Sequence, residues 1–222
     1  MTLLTTFNSW VANKLSFENS LREILKADSV LTSEEAKRPF ECDGLAAYRQ
    51  LPRVVVLPET IDEVKGVIQR CKQYDVPIVS RGAGTSLSGG ALPLADVCVL
   101  SLAKFNRIKH IDPDKQIAIV EPGVRNISIS EAAKPFGLYY APDPSSQLAC
   151  SIGGNVAENA GGVHCLKYGL TVHNLMGVKI LTSDGESMVL VGQGLDSNEH
   201  DLLNLITGSE GLLGIVMEFT VR

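Results

Sequence analysis

The stretch Arg81-Gly82-Ala83-Gly84-Thr85-Ser86-Leu87-Ser88-Gly89-Gly90 places four glycines within the nine residues from Gly82 to Gly90. The apolar run Val76-Pro77-Ile78-Val79-Ser80 just before it predicts a strand that opens into this loop. Because glycine reaches positive φ without a steric penalty, successive backbone N–H groups in such a loop can turn toward one point. A concave row of N–H dipoles binds anions, above all phosphates.

Two familiar phosphate-binding loops do not fit this stretch. The G-x-G-x-x-G pattern of Rossmann sites needs a third glycine where Leu87 stands, after Gly82 and Gly84. The P-loop ends in Gly-Lys-Ser/Thr, and no such ending is present. Two interpretations remain for this segment alone. It is either a glycine cradle for the pyrophosphate of a flavin dinucleotide, without a helix, or a plain glycine-rich turn between two strands.

Composition excludes several classes of protein. The chain has 222 residues, 45% of them hydrophobic, and a net charge of −5 without a basic stripe, which argues against a nucleic-acid partner. Its five cysteines are widely spaced and form no C-x-x-C pair, so we predict reduced thiols and no metal site. With no apolar run of 18 residues and no signal-peptide pattern, we expect a cytoplasmic protein whose membrane contact, if any, is through partner subunits.

The first part of the chain predicts a helical segment followed by a small α/β unit. Residues 1–50 form the N-terminal segment, in which Phe17, Leu21, Ile24 and Leu25 make one apolar helix face, and we expect it to pack on the main domain without a chemical role. Residues 51–113 predict a β-α-β-β subdomain. Its elements are strands at 54–57, 76–80, 97–100 and 105–111, and a helix that opens with the capping box Thr60-Ile61-Asp62-Glu63.

Residues 114–222 predict a second subdomain with its own strands and loops. Strands are predicted at 116–121, 178–181, 187–191 and 215–221, and helices from Asn126 to Phe136, within 151–162 and at 202–206. Four segments, 81–90, 141–146, 151–162 and 208–214, are each rich in glycine, proline or small polar residues. Several such loops bordering one cleft would suit an extended ligand such as a dinucleotide better than a single phosphate.

Four long motifs in order resemble the FAD-binding domain of the vanillyl-alcohol oxidase/p-cresol methylhydroxylase superfamily. They are Val79 to Gly90, Pro142-Asp143-Pro144-Ser145-Ser146, Cys150 to Gly162, and Gly208-Ser209-Glu210-Gly211-Leu212-Leu213-Gly214-Ile215-Val216. The runs 41–49 and 161–175 are similar to the branch of FAD-linked subunits of bacterial glycolate oxidases. This resemblance covers essentially the whole chain.

The resemblance implies an α+β fold, with residues 51–222 forming a two-subdomain FAD-binding domain of the p-cresol methylhydroxylase type. It implies that Arg81, Gly82, Ala83, Gly84, Thr85 and Ser86 hold the pyrophosphate through backbone N–H groups. The other implied FAD-binding residues are Pro142, Asp143, Ser145, Ser146, Ser151, Gly154, Asn155, Asn159, Gly161, Tyr168, Glu210, Gly211, Ile215 and Val216. Some superfamily members attach FAD covalently through a histidine of the glycine loop, which in this chain is the stretch 81–90. This loop has none, so we expect non-covalent FAD.

The resemblance also implies an activity, the oxidation of a small 2-hydroxy acid such as glycolate or D-lactate by hydride transfer from the α-carbon to flavin. Its implied partners are other glycolate oxidase subunits, including an iron–sulfur subunit. The catalytic residues are expected in a further C-terminal substrate domain, so we expect the chain alone to bind FAD weakly and to turn over little. We interpret His164 and His173 as structural, because no carboxylate stands at metal-ligand spacing from them.

Two alternatives from other classes stay open. One is a flavin-binding assembly or electron-transfer subunit without its own catalysis. A bound FAD that no 2-hydroxy acid reduces would favour it. The other is a non-flavin-chemistry enzyme that shares the flavin fold, such as a UDP-sugar reductase, although the long match from Cys150 to Leu175 speaks against it.

Overall fold

The computed structural model describes residues 16–192 and 200–222. Its strands are β1 (Val30–Leu31), β2 (Val54–Val56), β3 (Ile78–Arg81), β4 (Cys98–Ser101), β5 (Ile108–Asp112), β6 (Ile117–Val120), β7 (Leu175–Leu181), β8 (Ser187–Val191) and β9 (Ile215–Val221). Its α-helices are α1 (residues 16–22), α2 (Glu34–Lys37), α3 (Ile61–Gln73), α4 (Asn126–Ala133), α5 (Ile152–Ala157), α6 (Cys165–Tyr168) and α7 (Leu202–Ile206).

A four-stranded sheet in the order β1-β2-β4-β3 forms the first unit. Strands β2, β4 and β3 are parallel, and β1 adds an antiparallel edge. Every residue of β2 and β4 is buried, as expected for parallel strands covered on both faces. Helix α3 makes the crossover from β2 to β3. It begins with the predicted capping box, in which Thr60 Oγ1 accepts from the Glu63 N–H and Glu63 Oε2 accepts from the Thr60 N–H.

A five-stranded antiparallel sheet in the order β5-β6-β9-β7-β8 forms the second unit. The central strand β9 alternates buried and half-buried residues, which is the pattern of a sheet with one face on a core. Residues of α4, α5 and α7, including Ile129, Val156 and Ile206, pack with the strands in that core. Helix α4 is followed by a 3₁₀ turn, and Gly137 ends it in the left-handed conformation with φ 72°.

One expectation from the sequence needs correction. The strand predicted at 105–111 was assigned to the first subdomain, but β5 pairs with β6 in the second sheet. The reason is the turn after Asp112, a hairpin that places β5 directly beside the next strand. The described part of the N-terminal segment, residues 16–50, packs on the first unit. It supplies β1, and its Phe17, Leu21 and Leu25 belong to the first unit's core.

The two sheets meet through shared apolar contacts. Leu181, Ile215 and Met217 of the second sheet are buried in the core cluster of the first. This contact holds the carboxyl end of β3, where the glycine loop begins, close to the start of α5. The helices of residues 16–192 and 200–222 are all too short or too polar to span a lipid bilayer.

Candidate cofactor-binding site

A cleft with a cavity of about 260 Å³ lies where the two sheets meet. The glycine loop forms one wall, the beginning of α5 another, and the turn between α7 and β9 a third. The predicted FAD-binding residues that line it are Arg81, Gly82, Ala83, Gly84, Thr85, Ser86, Ser146, Ser151, Gly154, Asn155, Glu210, Gly211, Ile215 and Val216. The fold therefore brings all four predicted ligand-facing segments to one place, although the segment 141–146 contributes only Ser146.

The glycine loop offers the cleft a row of free backbone donors. Within the residues that the structure describes, the N–H groups of residues 82–86 donate to no acceptor, and neither does the N–H of Gly154. Gly84 has φ 69°, a conformation that residues with a Cβ rarely adopt. Unpaired N–H groups at a wall of a cleft favour an anionic ligand with several acceptor oxygens, because their dipoles attract negative charge.

The loop and α5 approach each other so closely that side chains are excluded. A Cβ on Gly82 would overlap Ser151 Oγ, and a Cβ on Gly211 would overlap Ser80 Oγ. The hydroxyl oxygen of Ser151 is fully enclosed and has no hydrogen-bond partner among the described residues. These observations fit a phosphate-bearing ligand held mainly by the backbone, with a hydroxyl beside it.

The side chain of Arg81 packs against the loop and is only 6% exposed. Its guanidinium donates to the carbonyls of Ala91 at 3.3 Å and Pro39 at 3.4 Å, and lies 5.5 Å from the centre of the Phe40 ring. It packs directly against Gly84, where a Cβ would overlap it. Burial lowers the pKa of Arg81. The side chain thus supports the loop and places a positive charge next to Gly84, whose N–H is one of the free donors.

The N-terminal segment anchors the same loop, which sequence reasoning missed. Asp43, 7% exposed, accepts from the N–H of Gly89 at 2.9 Å and from the N–H of Leu45 at 2.8 Å. The Gly44 N–H donates to the Ser86 carbonyl at 2.9 Å. Only the resemblance of residues 41–49 to one branch of the superfamily singled these residues out. Local propensity gives no sign of a contact across about 40 residues of chain.

The far end of the cleft is acidic. Glu158 accepts from the Ser88 hydroxyl at 2.9 Å, and Glu210 stands close enough to Gly90 that a Cβ there would lie 2.9 Å from its carboxylate. A phosphate at this end would meet two negative charges, each worth roughly 4 kcal/mol at 4 Å with an effective dielectric constant of 20. This end of the cleft is therefore unfavourable for a phosphate, and its two carboxylates suit a hydroxyl donor.

Six predicted site residues do not line this cavity. They are Pro142, Asp143, Ser145, Asn159, Gly161 and Tyr168. Asn159 Oδ1 accepts from the Val172 N–H at 3.1 Å, and Gly161 packs against Cys165 and Leu170. Tyr168 lines a second cavity and meets the Tyr139 ring edge-on at 6.0 Å. Contact with FAD stays a prediction for these six residues and equally for the fourteen that line the cavity.

Asp143 and His164 form a hydrogen-bonded pair. Asp143 Oδ2 lies 2.6 Å from His164 Nδ1, and Asp143 Oδ1 accepts from the His164 backbone N–H at 3.2 Å. Burial raises the pKa of Asp143, but the hydrogen bonds from His164 outweigh it and hold that pKa below its ordinary value. The ring of His164 is more than half exposed, so its Nε2 edge remains accessible. Among the described residues, no group of three potential metal ligands comes together.

The cleft and its two sheets define a dinucleotide-binding domain of the two-sheet flavoprotein class. Residues 52–190 match the family described as FAD binding domain, and the chain belongs to that family. Its cofactor is FAD. Alkyldihydroxyacetonephosphate synthase has the same fold, with a TM-score of 0.79 and 22% identity over 93% of this chain and 40% of that chain. The predicted α+β fold of the p-cresol methylhydroxylase type is thereby confirmed.

Two relatives share much more sequence. The chain is 56% identical over 203 residues to glycolate oxidase subunit GlcD of Escherichia coli strain K12, over 91% of this chain and 41% of that protein. It is 35% identical over 196 residues to the D-lactate dehydrogenase of Anaerostipes hadrus, over 87% of this chain and 41% of that enzyme. The chain thus spans 41% of the length of these relatives.

Proposed function

We propose that this chain is the FAD-holding part of an oxidoreductase that acts on a small 2-hydroxy acid, glycolate or D-lactate. The observation that carries the proposal is the row of free N–H groups at residues 82–86, in a chain 56% identical to a glycolate oxidase subunit. When bound, FAD supplies the flavin ring that accepts a hydride from the substrate α-carbon. The chain's own contribution is to bind and orient that cofactor.

Each wall of the cleft has its own task in this proposal. The N–H groups of residues 82–86 and of Gly154 donate to the pyrophosphate oxygens, and the Arg81 charge favours the anion. Glu158 and Glu210 accept hydrogen bonds from sugar hydroxyls at the opposite end. The segment 142–146 borders the flavin side, where Ser146 already lines the cavity.

We assign substrate binding and removal of the hydroxyl proton to the part of the relatives that this chain does not cover. The relatives are more than twice as long as their match to this chain. Electrons from the reduced cofactor would pass to partner subunits, one of which carries iron–sulfur clusters. Location in the cytoplasm, with membrane contact through those subunits, belongs to the same proposal.

The attachment of FAD is proposed to be non-covalent. Among the described residues that line the cleft, no histidine, cysteine or tyrosine is present to form a bond to the flavin. The glycine loop offers only the hydroxyls of Thr85, Ser86 and Ser88.

The test is a visible absorption spectrum of the purified protein, followed by acid precipitation and identification of the released cofactor. Flavin bands with FAD in the supernatant support the proposal, whereas colour left in the pellet overturns non-covalent attachment. Protein that neither carries nor takes up FAD overturns the cofactor assignment. Dye reduction with glycolate and with D-lactate is then measured on the chain together with its partner subunits. Bound FAD that neither acid reduces would favour an assembly or electron-transfer subunit instead.

A further inference from the structure

Two buried asparagines connect the cleft to the segment around Pro142. Asn126, 1% exposed, is the first residue of α4, and Asn155, 4% exposed, lies in α5 and lines the cleft. Asn155 Nδ2 donates to Asn126 Oδ1 at 2.8 Å, and Asn126 Nδ2 donates to the Pro142 carbonyl at 2.9 Å. The chain of hydrogen bonds therefore runs from the cleft wall through Asn126 to the backbone.

The chemistry of Pro142 fixes the direction of this chain. A carbonyl oxygen only accepts, so Asn126 must turn its NH₂ group toward Pro142 and its Oδ1 toward Asn155. Asn155 must then present its own NH₂ group to Asn126. The amide of Asn155 is left with one orientation, and its Oδ1 is directed away from Asn126.

The side-chain oxygen of Asn155, Oδ1, has no partner in the described part of the chain, since no donor there reaches it. This oxygen is also not fully enclosed by protein atoms. Asn155 Oδ1 is therefore an accessible acceptor on a residue that lines the cleft. An acceptor held in this way selects for an O–H or N–H donor and against a phosphate oxygen, which also only accepts.

We propose that Asn126 is a positioning residue for the cofactor site: it fixes the amide of Asn155 so that Oδ1 accepts a hydrogen bond from an O–H or N–H group of bound FAD. The inference rests on the proposed binding of FAD in this cleft. The cleft then has a donor side and an acceptor side. The N–H groups of residues 82–86 donate to the phosphates, while Asn155 Oδ1 accepts from a sugar, ribityl or flavin group. Asn126 itself touches no ligand.

The experiment compares FAD dissociation constants, measured by flavin fluorescence, for the purified protein and the variants N126A, N155A and N126A/N155A. We expect each single variant to weaken FAD binding about tenfold, which corresponds to about 1.4 kcal/mol. Because Asn126 acts through Asn155, the double variant is expected to bind FAD no more weakly than N155A. Two independent effects would instead multiply to about a hundredfold.

Ser130 provides a matched control on the same helix. Its hydroxyl donates to the Tyr140 carbonyl at 3.4 Å and accepts from the Tyr140 N–H at 3.0 Å, so it ties α4 to the same segment without touching Asn155. S130A is expected to lower the melting temperature as N126A does, while leaving FAD affinity within twofold of the parent. This control separates positioning of Asn155 from general loosening of the segment.

The outcomes distinguish the inference from the proposed function. If the parent protein binds FAD but N155A binds it equally well, or if the two single effects add in the double variant, the role of Asn126 is overturned. Equal loss of FAD affinity in S130A and N126A would also overturn it. A parent protein that takes up no FAD would overturn the proposed function itself, before any variant is compared.

Discussion

The hydroxyl oxygen of Ser151 lies against the Cα atom of Gly82, so close that a methyl group on residue 82 would overlap it. Ser151 directly precedes α5, which packs on the second sheet, and Gly82 directly follows β3 of the first. This contact therefore brings the two units together at the point where the row of free N–H groups begins. The cleft depends on residue 82 having no side chain.

Replacing Gly82 by alanine is expected to open this contact. The added methyl forces Ser151 or the loop to move, and such overpacking typically costs about 1–3 kcal/mol. We expect G82A to lower the free energy of unfolding by that amount and to weaken FAD binding at least tenfold. Urea unfolding and flavin fluorescence titration measure the two effects.

The variant G82A/S151A tests the cause. Without the Ser151 hydroxyl, a Cβ on residue 82 would have its nearest neighbour, the Gly154 nitrogen, at 3.6 Å, which is ordinary contact. The double variant is expected to regain most of the stability that G82A loses. A G82A protein as stable as the parent would show that the contact is not as tight as the structure has it.

The N-terminal segment is expected to matter for cofactor binding because Asp43 anchors the loop. D43A leaves the N–H groups of the half-buried Gly89 and Leu45 without their acceptor, at a cost of about 0.5–1.5 kcal/mol for each lost hydrogen bond. We expect lower stability and weaker FAD binding, measured as for Gly82. The exposed Asp96 offers the control D96N, which should change neither. Unchanged FAD affinity in D43A would show that residues 41–49 do not shape the site.

Two variants separate the contribution of the positive charge of Arg81 from that of its hydrogen bonds to Ala91 and Pro39. R81M removes the donors to Pro39 and Ala91 together with the positive charge, whereas R81K keeps the charge but loses the planar fork that reaches both carbonyls. We expect similar losses of stability in both and a larger loss of FAD affinity in R81M, by roughly fivefold to tenfold. R38M, at an exposed arginine, is the control. Equal FAD affinities for R81M and R81K would mean that the charge contributes nothing.

The pair of Asp143 and His164 predicts a pH dependence of stability. Because the pKa of Asp143 is held below its ordinary value, its contribution is present above the unfolded-state pKa of about 4 and is lost as the pH falls through the lower folded-state pKa. H164Q removes the ring partner, so we expect its acid unfolding to begin at a higher pH than in the parent. H110Q changes an exposed histidine and should leave the acid transition in place. Coincident acid transitions for H164Q and the parent would contradict the role of this pair.

Local sequence signals predicted many of the elements well. The capping box of Thr60 and Glu63, the turn residue Gly137 and the strand at 215–221 were each found where the sequence indicated. These features are decided by a few neighbouring residues, through hydrogen bonds and φ preferences that operate over three or four positions. The hairpin turn at residues 112–114 was also recognised, but the sheet its strands join was not, because strand partners are set by long-range packing.

By itself, the sequence determined that a strand would open into a glycine loop at Arg81 and that several more ligand-facing loops would follow. The composition of these loops favoured a dinucleotide, since glycine placement is a local property, and the resemblance of their motifs to a known family implied FAD. Only the tertiary structure decided what supports that loop: Asp43 and Gly44 from the N-terminal segment, Ser151 from the second unit, and the chain from Asn155 through Asn126 to Pro142. These contacts join residues far apart in the chain, and their hydrogen bonds and close approaches exist only after the two cores have packed together.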